Sequence, residues 1–133
     1  MHPEVLLIDD DPIFMMFFKR MIIKSGISHD PIIFKNGLDA YEYVKAHCEE
    51  HKKYILFLDI NMPQMNGWEF LEKVSADCNV ENIITFMVSS STDESDISKI
   101  KKYAWVKDFL IKPVLQDTLE NIKKTSDIAA LYS

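Results

Sequence analysis

The chain has 133 residues, of which 47% are apolar and 27% are charged, and its formal net charge is −6. Its length predicts one globular domain with a buried core, and the presence of only 3 glycines and 5 prolines argues against a fibrous or disordered chain. The acidic balance argues against nucleic acid and anionic membranes as partners, because both attract basic proteins.

The cysteines and the amino terminus indicate the compartment. Cys48 and Cys78 lack the spacing of a metal site, so we expect reduced thiols that pack as small apolar groups in a cytoplasmic protein. Met1–Glu4 does not resemble a signal peptide, and no apolar run approaches about 18 residues. We therefore expect a single cytoplasmic domain over residues 1–133, with no output domain.

Five short apolar runs predict five strands. They are Val5–Ile8, Pro31–Phe34, Tyr54–Leu58, Ile83–Val88 and Phe109–Ile111. Because the runs are continuously apolar rather than alternating, they are typical of parallel strands that helices cover on both faces.

A helix is predicted after the first strand. Asp11 is a good N-cap, Pro12 suits the first helical turn, and Gly26 ends the helix. We expect the apolar run Met15–Phe18 to contribute both to the core and to the exposed surface.

Four further helices complete an alternating pattern. They are predicted from about Leu38 to Glu49–Glu50, from Gly67, from Ser91–Asp93, and after Pro113 with an apolar stripe at Leu115, Leu119 and Ile122. Five strand–helix units in alternation predict a doubly wound α/β sheet with right-handed crossovers.

Polar side chains collect where the predicted strands end. They are Asp9 and Asp10 after the first strand, Asp59 after the third, Ser89 after the fourth and Lys112 after the fifth. The carboxyl ends of parallel strands meet at one edge, where open α/β sheets bind ligands, so we expect these groups to form one site.

The chemistry of this set favours a phosphoryl group. Clustered carboxylates repel one another, which protonation or a bound cation relieves, and carboxylate, carbonyl and water oxygens suit Mg²⁺. Lys112 and the Ser89 hydroxyl are then available to a second anion. A carboxylate is also a nucleophile that forms an aspartyl phosphate.

Each residue alone has a simpler interpretation. We interpret Asp11 as a helix cap, an isolated Lys112 is commonly solvated, and Ser89–Ser91 has the composition of a loop with an N-cap. The conjunction at the strand ends, rather than any one residue, favours a functional site.

Five stretches, in order, resemble the receiver domains of two-component response regulators. They are Leu7–Pro12, Asn36–Ala40, Leu58–Gly67, Met87–Ser90 and Phe109–Pro113. The resemblance covers essentially the whole chain. It implies a flavodoxin-like, five-stranded sheet in the order 2-1-3-4-5 flanked by five helices, an order carried over from the chemotaxis regulators of this family.

The resemblance implies a magnesium-dependent phosphoacceptor rather than an enzyme. Asp59 takes the phosphoryl group from a histidine kinase or histidine phosphotransfer protein, and Lys112 pairs with it. Mg²⁺ is held by Asp10, Asp59 and the backbone carbonyl of Asn61, with Asp9 acting mainly through water.

The resemblance also implies a switch for a downstream protein target. Ser89 hydrogen-bonds the phosphoryl group and draws the following loop inward, and Phe109 then turns inward. The surface of the fourth helix, fifth strand and fifth helix changes as a result. A cis Lys112–Pro113 bond is expected, and Asn61 and Ser91 are expected to affect the lifetime of the phosphoryl group.

Three features depart from the family pattern. Trp105–Val106 stands where Gly-Ala is common, so Trp105 is expected to stiffen or cover the signalling face or to anchor a partner. Phe109 replaces a frequent tyrosine, and the long Lys45–Lys53 segment is expected to extend the second helix or its exit.

Two other functions are open to test. A haloacid-dehalogenase-type phosphatase needs a second acid two residues after its nucleophile, where this chain has Asn61. A pseudo-receiver would bind partners without taking phosphate, and a Mg²⁺ titration followed by Trp68 or Trp105 fluorescence would discriminate it. The expected oligomeric state is a monomer, or a weak homodimer through the fourth and fifth helices.

Overall fold

The strands form one parallel sheet. The structure, a computed structural model, describes residues 2–48, 52–90 and 93–132. Within these residues five strands pair in the order β2-β1-β3-β4-β5, which confirms the expected fold. Their bounds are β1 Glu4–Ile8, β2 Ile32–Phe34, β3 Tyr54–Asp59, β4 Ile83–Ser89 and β5 Val106–Ile111. The central strand β3 is buried at every position, as its continuous apolarity predicts.

Helices cover both faces of the sheet. In the described part of the chain they are α1 Pro12–Ser25, α2 Gly37–His47, α3 Gly67–Asp77, α4 Glu94–Lys99, α5 Gln116–Lys124 and α6 Ser126–Ala129. The Asp11 side chain caps α1 by accepting from the backbone N–H groups of Ile13 and Phe14, and Gly26 ends it with a φ of 80°. No helix in the described ranges is long and apolar enough to cross a membrane.

Two predicted helix bounds cannot be compared with the structure, and two other helix predictions need adjustment. The predicted end of the second helix at Glu49–Glu50, and the predicted start of the fourth at Ser91 and Thr92, lie outside the described residues. Leu115 does not join the apolar stripe of α5, because it precedes the helix and is 65% exposed. The short helix α6 was not predicted, although its Ile128 is fully buried.

Two cores lie on opposite faces of the sheet. One packs α2 and α3 against residues such as Leu56 and Leu58, and the other packs α1 and α5 against Ile55 and Phe57. Alternate residues of the same strand therefore serve opposite cores. In the run Met15–Phe18, the first and last residues are buried and the middle two are exposed, as expected.

The cysteines correct one prediction. Cys48 and Cys78 form a disulfide with a Cα–Cα distance of 5.9 Å, so they are not the reduced thiols expected. Each follows a helix, α2 or α3, and these helices pack side by side, which brings their carboxyl ends together. A separation of 30 residues in sequence gives no sign of this proximity.

Trp105 is a structural residue. It is buried, and its indole N–H donates to the Ser75 hydroxyl of α3 at 3.2 Å. Its backbone carbonyl accepts from the N–H of Thr85 at 2.8 Å, beside a shift in the pairing of β4 and β5. Its burial argues against the role of partner anchor, while the expectation that Trp105 stiffens or covers the signalling face stays a prediction.

Candidate functional site

The carboxyl edge of the sheet brings three carboxylates together. Asp9 and Asp10 follow β1, and Asp59 ends β3, the strand that pairs with β1. Among the described residues these three offer oxygen atoms that all lie within 4.8 Å of one another. Asp9 and Asp59 are buried and Asp10 is exposed, so the cluster opens to solvent on one side.

Lys112 reaches the same cluster from β5. Its Nζ lies 2.8 Å from Asp9 Oδ2 and 3.9 Å from Asp59 Oδ1, and its side chain is 17% exposed. The Lys112 backbone N–H donates to the carbonyl of Ser89 at 2.8 Å, and the Lys112–Pro113 peptide bond is cis, as expected. The lysine therefore forms its closer ion pair with Asp9 rather than with the expected phosphoacceptor.

Local hydrogen bonds fix Asp9. Its backbone N–H donates to the carbonyl of Phe34 at 3.0 Å, and its Oδ1 accepts from the backbone N–H of Asp11 at 2.9 Å. One oxygen of the carboxylate is thus used by the start of α1, and the other faces Lys112. This arrangement holds the first acid in place before any ligand arrives.

Asp59 is the electrostatically strained member of the cluster. Burial and then the charge of Asp9 raise the pKa of its carboxyl from 3.8 to about 7, with a smaller effect of Asp10. Lys112 and a hydrogen bond from the backbone N–H of Asn61 act in the opposite direction. In the metal-free protein, Asp59 therefore holds a proton over part of the neutral range, and a cation would favour its ionised form.

Ser89 lies on the strand next to Asp59. It ends β4, is 1% exposed, and is one residue beyond Val88, which pairs with Asp59. This position places the serine at the same edge as the acids. Phe109, the expected switch aromatic, is half-buried on β5 opposite Met87, whereas Ser91 lies outside the described residues.

The loop after Asp59 packs tightly beneath the site. Gln64 adopts a left-handed φ of 68°, and the N–H of Gly67 donates to the carbonyl of Ile60 at 2.8 Å. A Cβ on Gly67 would lie 2.6 Å from the Asp59 carbonyl oxygen, so glycine is required for this approach. The start of α3 is therefore held directly against the backbone of Asp59.

The donor set fits a hard divalent cation. Carboxylate oxygens from Asp9, Asp10 and Asp59 are the ligands that Mg²⁺ prefers, and Asp10 and Asn61 are exposed, which leaves room for waters. The charge of Lys112 offsets only part of the charge of the three acids. The sequence pattern predicts these residues but gives no sign of a further neighbour, Phe14, whose ring centroid lies 4.4 Å from Lys112 Nζ.

Known proteins show the same fold and size. The chain is 36% identical to the chemotaxis protein CheY of Listeria monocytogenes over 123 residues, which cover 91% of this chain and 97% of the relative. A two component response regulator from Cytophaga hutchinsonii superimposes with a TM-score of 0.83 at 26% identity, covering 97% of this chain and 98% of that one.

A third comparison concerns the fold alone. The receiver domain of the sensor histidine kinase PA1611 from Pseudomonas aeruginosa, which has a magnesium ion in its active site cleft, is 18% identical. It superimposes with a TM-score of 0.73, covering 92% of this chain and 94% of that one.

The response regulator receiver domain family matches residues 5–124, and the chain therefore belongs to that family.

Proposed function

We propose that this receiver domain is a phosphoacceptor in a two-component phosphorelay, with Asp59 as the residue that is modified. The observation that carries the proposal is the buried Asp59 carboxylate, which shares one edge of the sheet with Asp9, Asp10 and Lys112. A histidine kinase or a histidine phosphotransfer protein would supply the phosphoryl group, and a downstream protein would read the result.

Three residues would hold Mg²⁺. They are Asp10, Asp59 and, through its backbone carbonyl, Asn61, while Asp9 would act mainly through water. The donor chemistry supports this assignment, as does the magnesium ion in the PA1611 receiver domain. When bound, the ion neutralises charge on the carboxylates and on the phosphoryl oxygens.

The chain's own groups would carry the transfer. An ionised Asp59 oxygen attacks phosphorus, a P–O bond forms, the P–N bond of the donor phosphohistidine breaks, and the histidine nitrogen keeps the electron pair. Lys112 Nζ, 3.9 Å from Asp59, would contact the transferred oxygens, and the Ser89 hydroxyl would donate to one of them. Positioning and charge neutralisation account for most of the catalysis.

The readout would begin at Ser89. Its hydrogen bond to the phosphoryl group would draw the loop after β4 inward, and Phe109 would turn inward after it. The surface of α4, β5 and α5 then changes, driven by the different affinities of the phosphoryl group for the two states. We further propose that residues 1–133 act as one receiver domain in the cytoplasm, as a monomer or a weak homodimer.

Intact-mass spectrometry after incubation with acetyl phosphate and Mg²⁺ tests the proposal. We expect one phosphoryl adduct on the wild type and none on Asp59→Asn, because the amide is not a nucleophile here. Asp10→Asn serves as the metal-site control and should slow adduct formation. An adduct of equal yield on Asp59→Asn would refute the assignment.

The variant Ser89→Ala tests the switch separately. We expect it to accept the phosphoryl group but to show smaller phosphate-dependent NMR shifts on α4, since the hydroxyl donor is absent. Ser90→Ala, the exposed neighbour, is the matched control and should keep the wild-type shifts. Equal shifts for Ser89→Ala and the wild type would remove Ser89 from the mechanism.

A further inference from the structure

We propose that Phe14 is a positioning residue that holds the Lys112 ammonium at the phosphoacceptor, an inference that rests on the proposed function. Lys112 Nζ lies 4.4 Å from the centroid of the Phe14 ring while it also contacts the Asp9 carboxylate. This distance is within the range of a cation–π interaction, in which the negative face of the ring attracts the cation.

The ring is held in place from two sides. The backbone N–H of Phe14 donates to the Asp11 carboxylate at 3.1 Å, which fixes the first turn of α1. The ring stacks on Phe18 with centroids 5.1 Å apart, and Phe18 meets the edge of Phe57 at 5.3 Å. Phe57 stacks in turn on Phe86 of β4, so the ring is anchored through a column of aromatic side chains to the centre of the sheet.

A ring suits this position better than another acid would. The lysine ammonium sits on a flexible four-carbon stem and must be directed toward Asp59 rather than toward solvent. A third carboxylate beside Lys112 would compete with the phosphoryl group for its hydrogens. The ring attracts the charge without a strong hydrogen-bond acceptor, so the ammonium remains free to turn toward an arriving phosphoryl oxygen. Phe14 thereby raises the fraction of molecules in which Lys112 is placed for the reaction.

Matched variants isolate this contribution. Phe14→Leu keeps an apolar side chain of similar bulk but removes the ring, and we expect it to slow phosphorylation of Asp59 by acetyl phosphate and Mg²⁺ about threefold to tenfold. Phe14→Tyr keeps the ring face and should restore nearly the wild-type rate. Phe17→Leu makes the same change on the same helix at a 53% exposed position and should leave the rate unchanged.

A second readout does not depend on phosphorylation. In protein with ¹³C-labelled lysine and no phosphodonor, the ε-methylene protons of Lys112 should show an upfield ring-current shift in the wild type, Phe14→Tyr and Phe17→Leu. The shift should disappear in Phe14→Leu. Circular dichroism confirms that each variant is folded.

The outcomes separate the two proposals. If the Lys112 ε-methylene signal of the wild type shows no ring-current shift, the contact between Lys112 and Phe14 is refuted. If Phe14→Leu is phosphorylated as fast as the wild type, the positioning role of Phe14 is refuted. A slow Phe14→Tyr variant also overturns it, because a retained ring face should rescue. If the wild type shows the shift but never forms an adduct, the phosphoacceptor proposal has failed, and the role of Phe14 fails with it.

Discussion

Polar groups are arranged in opposite ways at the amino edge and the carboxyl edge of the sheet. At the amino edge, where strands begin and helices end, side chains in or directly after α2 are linked to side chains in or directly after α3. The Tyr41 hydroxyl of α2 donates to Asp77 at the end of α3, and the Cys48–Cys78 disulfide joins the residues that follow the same two helices. These links connect elements that are distant in sequence. The side chains that form them are therefore not available to bind a ligand.

The carboxyl edge leaves charge uncompensated. Among the described residues, the carboxylates of Asp9, Asp10 and Asp59 lie together and Lys112 offsets part of their charge. The cost appears in the raised pKa of Asp59. Burial of polar groups therefore has two uses in this protein, because paired groups stabilise the fold and like charges held together prepare a site for a cation and an anion.

Removal of the disulfide at the amino edge should change the stability most. The double variant Cys48→Ser/Cys78→Ser, or reduction of the wild type, should lower the free energy of unfolding by about 3.5 kcal/mol, because the bond restricts a 30-residue loop in the unfolded chain. Urea denaturation with and without a thiol reductant measures this change. Phosphorylation by acetyl phosphate should be unaffected. A loss of phosphorylation together with the loss of stability would contradict the division of roles between the two edges.

A smaller effect of opposite sign is expected at the carboxyl edge. The raised pKa of Asp59 means that the folded state binds its proton more tightly than the unfolded state does. This contribution to stability is fully present below about pH 4 and is lost as the pH rises through about 7. Without Mg²⁺, Asp59→Asn should therefore unfold with a free energy roughly 1–3 kcal/mol higher than the wild type at pH 7.5.

Urea titrations at several pH values check this prediction. The difference between Asp59→Asn and the wild type should shrink toward pH 4 and should also shrink when Mg²⁺ is added, since the cation stabilises the ionised wild type. If the difference in the free energy of unfolding between Asp59→Asn and the wild type is constant from pH 4 to 7.5, the titration of Asp59 does not contribute to the pH dependence of stability.

The smallest expected effect is at a single pair of the amino edge. Tyr41→Phe removes the hydroxyl that donates to Asp77 and should lower the free energy of unfolding by about 1 kcal/mol. Thermal denaturation measures the change, and Tyr103→Phe, which loses a bond to Glu72 of α3, gives a comparison on the same helix. A rise in stability for Tyr41→Phe would show that this pair is not a stabilising link.

Sequence patterns were sufficient for the fold wherever burial dominates. The continuous apolarity of Tyr54–Leu58 predicts a strand covered on both faces, and every residue of β3 is buried. Prediction is poorer at the edges, since no residue of α4 is buried and Leu115 is exposed. An exposed helix leaves little apolar periodicity in the sequence to define its ends.

The location of the site was also predictable, but its pairwise geometry was not. Parallel strands bring their carboxyl ends to one edge, so Asp9, Asp59 and Lys112 were expected to meet there, and they do. The choice of Asp9 as the nearer partner of the lysine depends on side-chain conformation. The ring of Phe14 and the disulfide depend on packing between segments distant in sequence, which local patterns do not encode.

The Cys48–Cys78 disulfide at the amino edge also constrains the segment that bears Asp59. With the backbone between Cys48 and Cys78, it closes a macrocycle that contains β3, the following loop and α3. Pro63 and Gln64 in that loop are exposed, so a protease that cuts there would open the macrocycle without releasing either piece. The nicked chain would migrate as one species on a non-reducing gel and as two after reduction.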